Sequence, residues 1–182
     1  MRLNRIKHHA EIEDKFAMLL IGIPSIISLL GAVIFFSVNS LLDLKSRLVP
    51  NNFILGEIVI SVFVVVISGR LLSQMTLHIF SLLIALGLGY LLFKIGALGG
   101  GDVKTVVVIS LISPGIEPTT GVTYLLEAIL GFGVPLVIAL FVGELYVRYY
   151  RGISEHKTNL QPALIPYLFG GYLLLQLLGL FL

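Results

Sequence analysis

The chain has 182 residues, of which 57% are hydrophobic and 12% charged, and its formal net charge is +2. A soluble domain carries about 25% charged residues, so a soluble globular protein is excluded, and so small a net charge gives no footing for nucleic-acid binding. Without cysteine there is no disulfide and no cysteine-held zinc, and without Trp the interfacial aromatics fall to Tyr. The class this leaves is all-α: a polytopic membrane helix bundle with about six transmembrane helices and no appended soluble domain.

Residues 1–15 read as a polar N-terminal tail, in which Arg2, Arg5, Lys7 and Lys15 stand against Glu11, Glu13 and Asp14. His8 and His9 are adjacent rather than helically spaced, which does not suit a metal site. The membrane domain is then 16–182. Residues 16–42 exceed the roughly 20 residues needed to span, and no small-residue cleavage pattern follows them. A polar loop from Asp43 to Asn52 holds Pro50, which suits a helix start.

The second span is predicted over 53–69, with Glu57 in its first turn facing the positive end of the helix dipole. Residues 70–74 read as a turn. The third span covers 76–95, with His78 near its interfacial start and Gly87 and Gly89 allowing close packing. Residues 103–113 are apolar but reach only about 17 Å as a helix, and Ser113-Pro114-Gly115 ends them. The irregular stretch through Thr123 must complete that crossing buried in protein, or the bilayer must thin. The fifth span covers 124–147, with Glu127 and Glu144 near its ends, and the sixth covers 160–182, opened by Pro162 and Pro166.

Six crossings place three basic connections on one side. They hold Lys45 and Arg47, then Lys94 and Lys104, then Arg148, Arg151 and Lys157. The positive-inside rule makes that side cytoplasmic. The four basic residues of the N-terminal tail dissent, because this topology puts them outside.

Between the third and fourth spans lies Gly96-Ala97-Leu98-Gly99-Gly100-Gly101-Asp102-Val103-Lys104. Glycine is poor inside a helix, and an acid at the edge of hydrocarbon is costly. The stretch therefore reads as unwound backbone that aims an acid. The plain alternative is that Asp102 caps the following helix. Asp43 stands at the same depth on the same side, two full crossings earlier; its plain alternative is a solvated acid balanced by Lys45 and Arg47. Brought together, two carboxyls share one proton and titrate as a pair. One can activate water while the other polarises a carbonyl, as in aspartic proteases.

Other chemistries have less support. Ser81 and Ser110 are mid-span with no basic partner evident. The four His are scattered or terminal, so neither a metal nor a cofactor is expected. The glycines run into Asp rather than the Lys of a phosphate-binding loop.

These residues resemble a known family. Asp43, Arg47, Pro50 and Asn51, followed two spans later by Gly99, Gly101, Asp102, Val103 and Lys104 in a GxGD pattern, look like the type IV prepilin peptidases. That family includes archaeal preflagellin peptidases. Ile165-Pro166-Tyr167 with Gly170-Gly171 is similar to its proline-containing final helix. The resemblance implies an aspartic endopeptidase of the plasma membrane. Its substrates would be pilin-like or archaellin precursors, cut behind a short basic leader at the cytoplasmic face. Asp43 and Asp102 would be the catalytic pair, with Gly99, Gly101, Lys104, Arg47, Pro50 and Asn51 as supporting motif residues. The larger bacterial enzymes carry a cysteine-bearing segment and methylate the new N-terminus. This chain has no cysteine, so methyltransferase activity is not expected.

Two alternatives stay open. Presenilin and signal peptide peptidase proteins also use GxGD and resemble Gln161-Pro162-Ala163-Leu164, but Leu42 stands where they have Tyr, and six spans fall short of nine. A small ion or proton translocator would use Asp43, Asp102, Glu57 and Glu144, and needs acids distributed through the membrane rather than at one face.

Overall fold

The computed structural model describes residues 2–116, 123–153 and 162–179, with 2–21 and 150–153 described by backbone alone. The described residues form seven helices and no strands: α1 (Arg2–Ser46), α2 (Asn51–Ile67), α3 (Arg70–Ser73), α4 (Met75–Lys94), α5 (Gly100–Ile112), α6 (Tyr124–Ile153) and α7 (Ile165–Gly179). The polytopic helical bundle expected from composition is the observed fold.

Helix ends follow from local chemistry. α1 stops where Arg47 takes a left-handed conformation, φ 57°, and Pro50 then starts α2 as its extended N-cap. The Pro50 carbonyl accepts the N–H groups of Phe53 and Ile54 at 3.0 and 3.2 Å. Gly69 and Gly96, at φ 72° and 78°, turn the chain after α2 and α4. These are conformations that cost little only for glycine. Pro114 ends α5, because the residue before a proline is pushed out of the helical region. Ser113 accordingly leaves the helical region, at φ −138° and ψ 81°.

Residues 2–15, read as a polar tail, are helical and continue the backbone of α1 without a break. Residues 70–73 form a one-turn helix rather than a plain turn, which revises that expectation. His78, near the start of α4, is buried within the bundle.

Among the described residues, three stretches are long and apolar enough to cross a membrane: Gly22–Ser46, Met75–Lys94 and Tyr124–Tyr149. The apolar helices α2 and α7 are shorter, and the 13 residues of α5 reach only about 20 Å at 1.5 Å per residue. α5 packs against α1, α2 and α4, and α7 is held between α6 and α1. Outward faces carry exposed Ile34, Leu41, Phe63, Leu83 and Phe141, as lipid contact requires.

The chain directly after α5 stays buried, in line with one of the two expectations for the short fourth crossing. Ser113, Pro114, Gly115 and Ile116 are irregular yet buried. Polar groups of α7 satisfy them: Tyr172 Oη donates to Ser113 Oγ at 2.9 Å, and Gln176 Nε2 donates to the Gly115 carbonyl at 3.0 Å. Non-helical backbone is tolerated at membrane depth only with such partners. Tyr172 also packs on Phe36, which stacks on Phe169 with centroids 5.6 Å apart. One face of α7 thus anchors both α1 and the end of α5. Residues 117–122 lie outside the described residues.

The α6–α7 contact depends on a missing side chain. A Cβ at Gly171 would meet the Pro135 Cα at 2.8 Å and its carbonyl oxygen at 3.0 Å, whereas one at Gly170 meets nothing within 4 Å. Backbone cannot yield as a flexible side chain can. Gly171→Ala is expected to lower stability by about 1–3 kcal/mol through overpacking. Gly170→Ala should be neutral or slightly stabilising through helix propensity. Thermal unfolding of both variants in one detergent checks the contrast.

Candidate active site

Asp43 sits in the last turn of α1 and Asp102 in the first turn of α5. Both are 8% exposed, and both line one open cleft of about 970 Å³. They are close enough for the Asp43 charge to act on Asp102. The cleft is walled by Leu48, Val49, Phe93, Leu98, Leu140, Gly143, Val147 and Leu164, with Glu144 at its margin. The connections after α1 and after α4 and the approach to α7 therefore meet at one end of the bundle, as the count of crossings required.

Each acid is fixed by one oxygen. Asp102 Oδ2 accepts the Gly99 N–H at 2.8 Å. Asp43 Oδ2 accepts the Ile165 N–H, at the start of α7, at 3.3 Å. Both donors sit where a helix leaves backbone N–H groups without intrahelical partners, and the dipole there favours an anion. The plain alternative, that Asp102 caps the following helix, holds in another form. Gly99 is the N-cap, and Asp102 stands at the third helical position and reaches back to it. That shape accounts for Gly99, because a Cβ there would lie 3.1 Å from Asp102 Oδ2.

Gly101 also departs from expectation. It is helical, inside α5, and the sharp turn belongs to Gly96. A Cβ at Gly101 would only touch Val49 Cγ2 at 3.8 Å. A bulky residue there would intrude on the cleft wall but would strain no unwound backbone.

The supporting residues of the two motifs meet. Lys104 Nζ donates to Asn51 Oδ1 at 2.6 Å, which joins the first turn of α5 to the first residue of α2. Pro50 aligns that first turn. Arg47 lines the cleft and its charge acts on Asp43. Its amide donates to the Asp43 carbonyl at 3.0 Å. The left-handed backbone of Arg47 occupies a place usually taken by Gly or Asn and costs roughly 1–2 kcal/mol for a residue with a Cβ.

The sequence missed three features. The Ile165 N–H that holds Asp43 carries no side-chain signal. Glu57, expected in a first turn, is the seventh residue of α2 and is buried against Asn39 rather than set at a helix terminus. Asn39 lies four residues before Asp43, and that helical spacing was the available clue. Glu144, offered above as part of an ion path, is exposed and paired with Arg148 at 2.8 Å. Among the described residues no cluster of three or more His, Cys, Asp or Glu is placed to hold a metal.

Among known families, the type IV leader peptidase family matches this chain over residues 29–141. The match contains both acids and both motifs and ends within α6. No curated protein and no solved structure matches the chain.

Asp102 precedes the apolar part of α5 and opens on the cleft. Burial pushes its carboxyl up to about 6; the Gly99 N–H pulls down, and the Asp43 charge adds to the rise. A protonated-carboxyl infrared band assigned through Asp102→Asn should therefore disappear with a midpoint near pH 6. In Asp43→Asn the midpoint should fall, because a neighbouring negative charge is gone. An unmoved midpoint would mean the two acids do not act on each other.

Proposed function

Since the chain belongs to the type IV leader peptidase family, we propose that it is an aspartic endopeptidase whose catalytic pair is Asp43 and Asp102. The observation that carries this reading is that both acids line one cleft, each with one oxygen pinned by a backbone N–H. Such pinning orients each carboxyl and leaves its other oxygen for water and substrate.

With one shared proton on the pair, the ionised acid takes a proton from water as the water attacks the scissile carbonyl. The protonated acid donates a hydrogen bond to that carbonyl oxygen, and the proton taken from water later passes to the leaving amine. The substrate class is a prepilin-like precursor, pilin or archaellin, with a short basic leader. Its cationic leader approaches a cleft that holds Asp43, Asp102 and Glu144. Its hydrophobic segment stays against the apolar outer faces of the bundle. Cleavage takes place at the cytoplasmic membrane face, where the basic connections gather, and the new N-terminus is left unmethylated.

Asp43→Asn and Asp102→Asn should each lower the rate of leader removal by at least about 100-fold, because neither acid can do both jobs. The assay uses the protein in detergent with a pilin or archaellin precursor, following loss of a leader-sized fragment. Folding of each variant is checked by its thermal transition. Normal processing by either variant would remove that acid from the pair. Failure of wild type on several such precursors would reject this substrate class.

A further inference from the structure

One turn before Asp43, inside the bundle, Asn39 and Glu57 tie α1 to α2. Asn39 Nδ2 donates to Glu57 Oε2 at 2.9 Å, and the two residues are 0% and 3% exposed. Their other oxygens, Asn39 Oδ1 and Glu57 Oε1, are both buried and both lack a partner. Two acceptors left over on two groups already joined by one hydrogen bond lack only a proton.

A carboxamide and a carboxylic acid are complementary, since each sets a donor beside an acceptor in one plane. A proton on Glu57 Oε1 turns the two unsatisfied acceptors into a donor and its acceptor. It closes a ring of two hydrogen bonds. Ionised, Glu57 would be a buried charge with one neutral hydrogen bond. Such groups neutralise rather than bear the desolvation.

The elements packed against α2 are α1, α3 and α5. Their titratable or charged side chains in the described region are Asp43, Lys45 and Arg47, then Arg70, then Asp102 and Lys104. None of them forms an ion pair or a hydrogen bond with Glu57.

We propose that Glu57 is a neutral, protonated acid paired reciprocally with Asn39, and that this pair is a positioning brace for Asp43. Its leverage comes from its place. Asn39 shares a face of α1 with Asp43, four residues on. Glu57 is on the helix whose first residue, Asn51, holds Lys104, two residues after Asp102. The two side-chain bonds run from α1 to α2 and from α2 to α5. They fix the helix carrying one acid against the helix carrying the other.

Protonation is tested without any activity. The full-length protein in lipid nanodiscs should show a protonated-carboxyl infrared band at pH 8 that is missing in Glu57→Gln. Absence of that band in wild type overturns the proposal. The positioning role rests on the peptidase reading and is tested by cleavage. Glu57→Gln should keep kcat within about threefold, because the Gln amide restores both hydrogen bonds. Glu57→Leu should lower kcat by about tenfold or more through misplacement of Asp43, with KM little changed. Loss in Glu57→Gln equal to that in Glu57→Leu would show that the charge is needed, and an unchanged kcat in Glu57→Leu would show that no brace is needed. If Glu57→Leu does not fold, Asn39→Leu takes its place. Were wild type inactive on every precursor, the infrared result would still decide the protonation state.

Discussion

The arrangement depends on how an apolar bundle holds a carboxyl at its edge. An acid buried there without hydrogen bonds is unfavourable by several kcal/mol, on the order of the penalty for any unpaired buried polar group. The chain meets this twice in the same way, with a backbone N–H at the start of a helix. Asp102 uses the N-cap of its own helix, and Asp43 uses the first amide of α7. A backbone donor cannot swing away as a side chain can. The carboxyls are therefore held in orientation by the helices themselves, and their distance from each other is a matter of helix packing.

That packing is set at three levels. At the mouth, Lys104 and Asn51 join α5 to α2. One turn inside, Asn39 and Glu57 join α2 to α1. At the far end, Tyr172 and Gln176 of α7 hold the irregular chain after α5. The polar residues of this largely apolar chain are thus used between helices, where they set register. Apolar contacts alone set it poorly in lipid, because hydrocarbon tails compete equally for apolar faces.

Much of this was legible in the sequence. Composition and run lengths sufficed for the helical membrane bundle, because apolar stretches of spanning length have few other uses. Spacing sufficed to put Asp43 and Asp102 at one end, since two crossings return the chain to its starting side. The shortness of 103–113 pointed to buried irregular backbone or a thinned bilayer, and Ser113–Ile116 are irregular and buried. Contacts between distant residues were not legible. The Ile165 amide has no side-chain signature, so the anchor of Asp43 could not be read from residue types. Glu57 was misplaced because its helix begins at Asn51, two residues earlier than the apolar pattern suggested, which moves the acid from a dipole end into the interior. The glycine stretch was read as one flexible unit. Its members are distinct: Gly96 turns, Gly99 makes room for a carboxylate, and Gly101 is helical.

The direction of the helices bears on how the two acids are held at the cleft. α2, α5 and α7 all begin at this end, at Asn51, Gly100 and Ile165. Each start presents N–H groups and the positive end of a helix dipole. Three such starts favour negative charge at the cleft, as does the Arg47 charge beside Asp43, while the ends of α1 and α4 at the same place oppose it. In the proposed mechanism the same field opposes the second half of the task, because a dyad that shares a proton needs one acid to stay neutral. Burial and the mutual repulsion of the acids supply the opposing push, raising Asp102 towards neutrality. Two anchored carboxyls, both raised chiefly by burial and each drawn back towards the anion by one backbone N–H, follow from the balance of these effects.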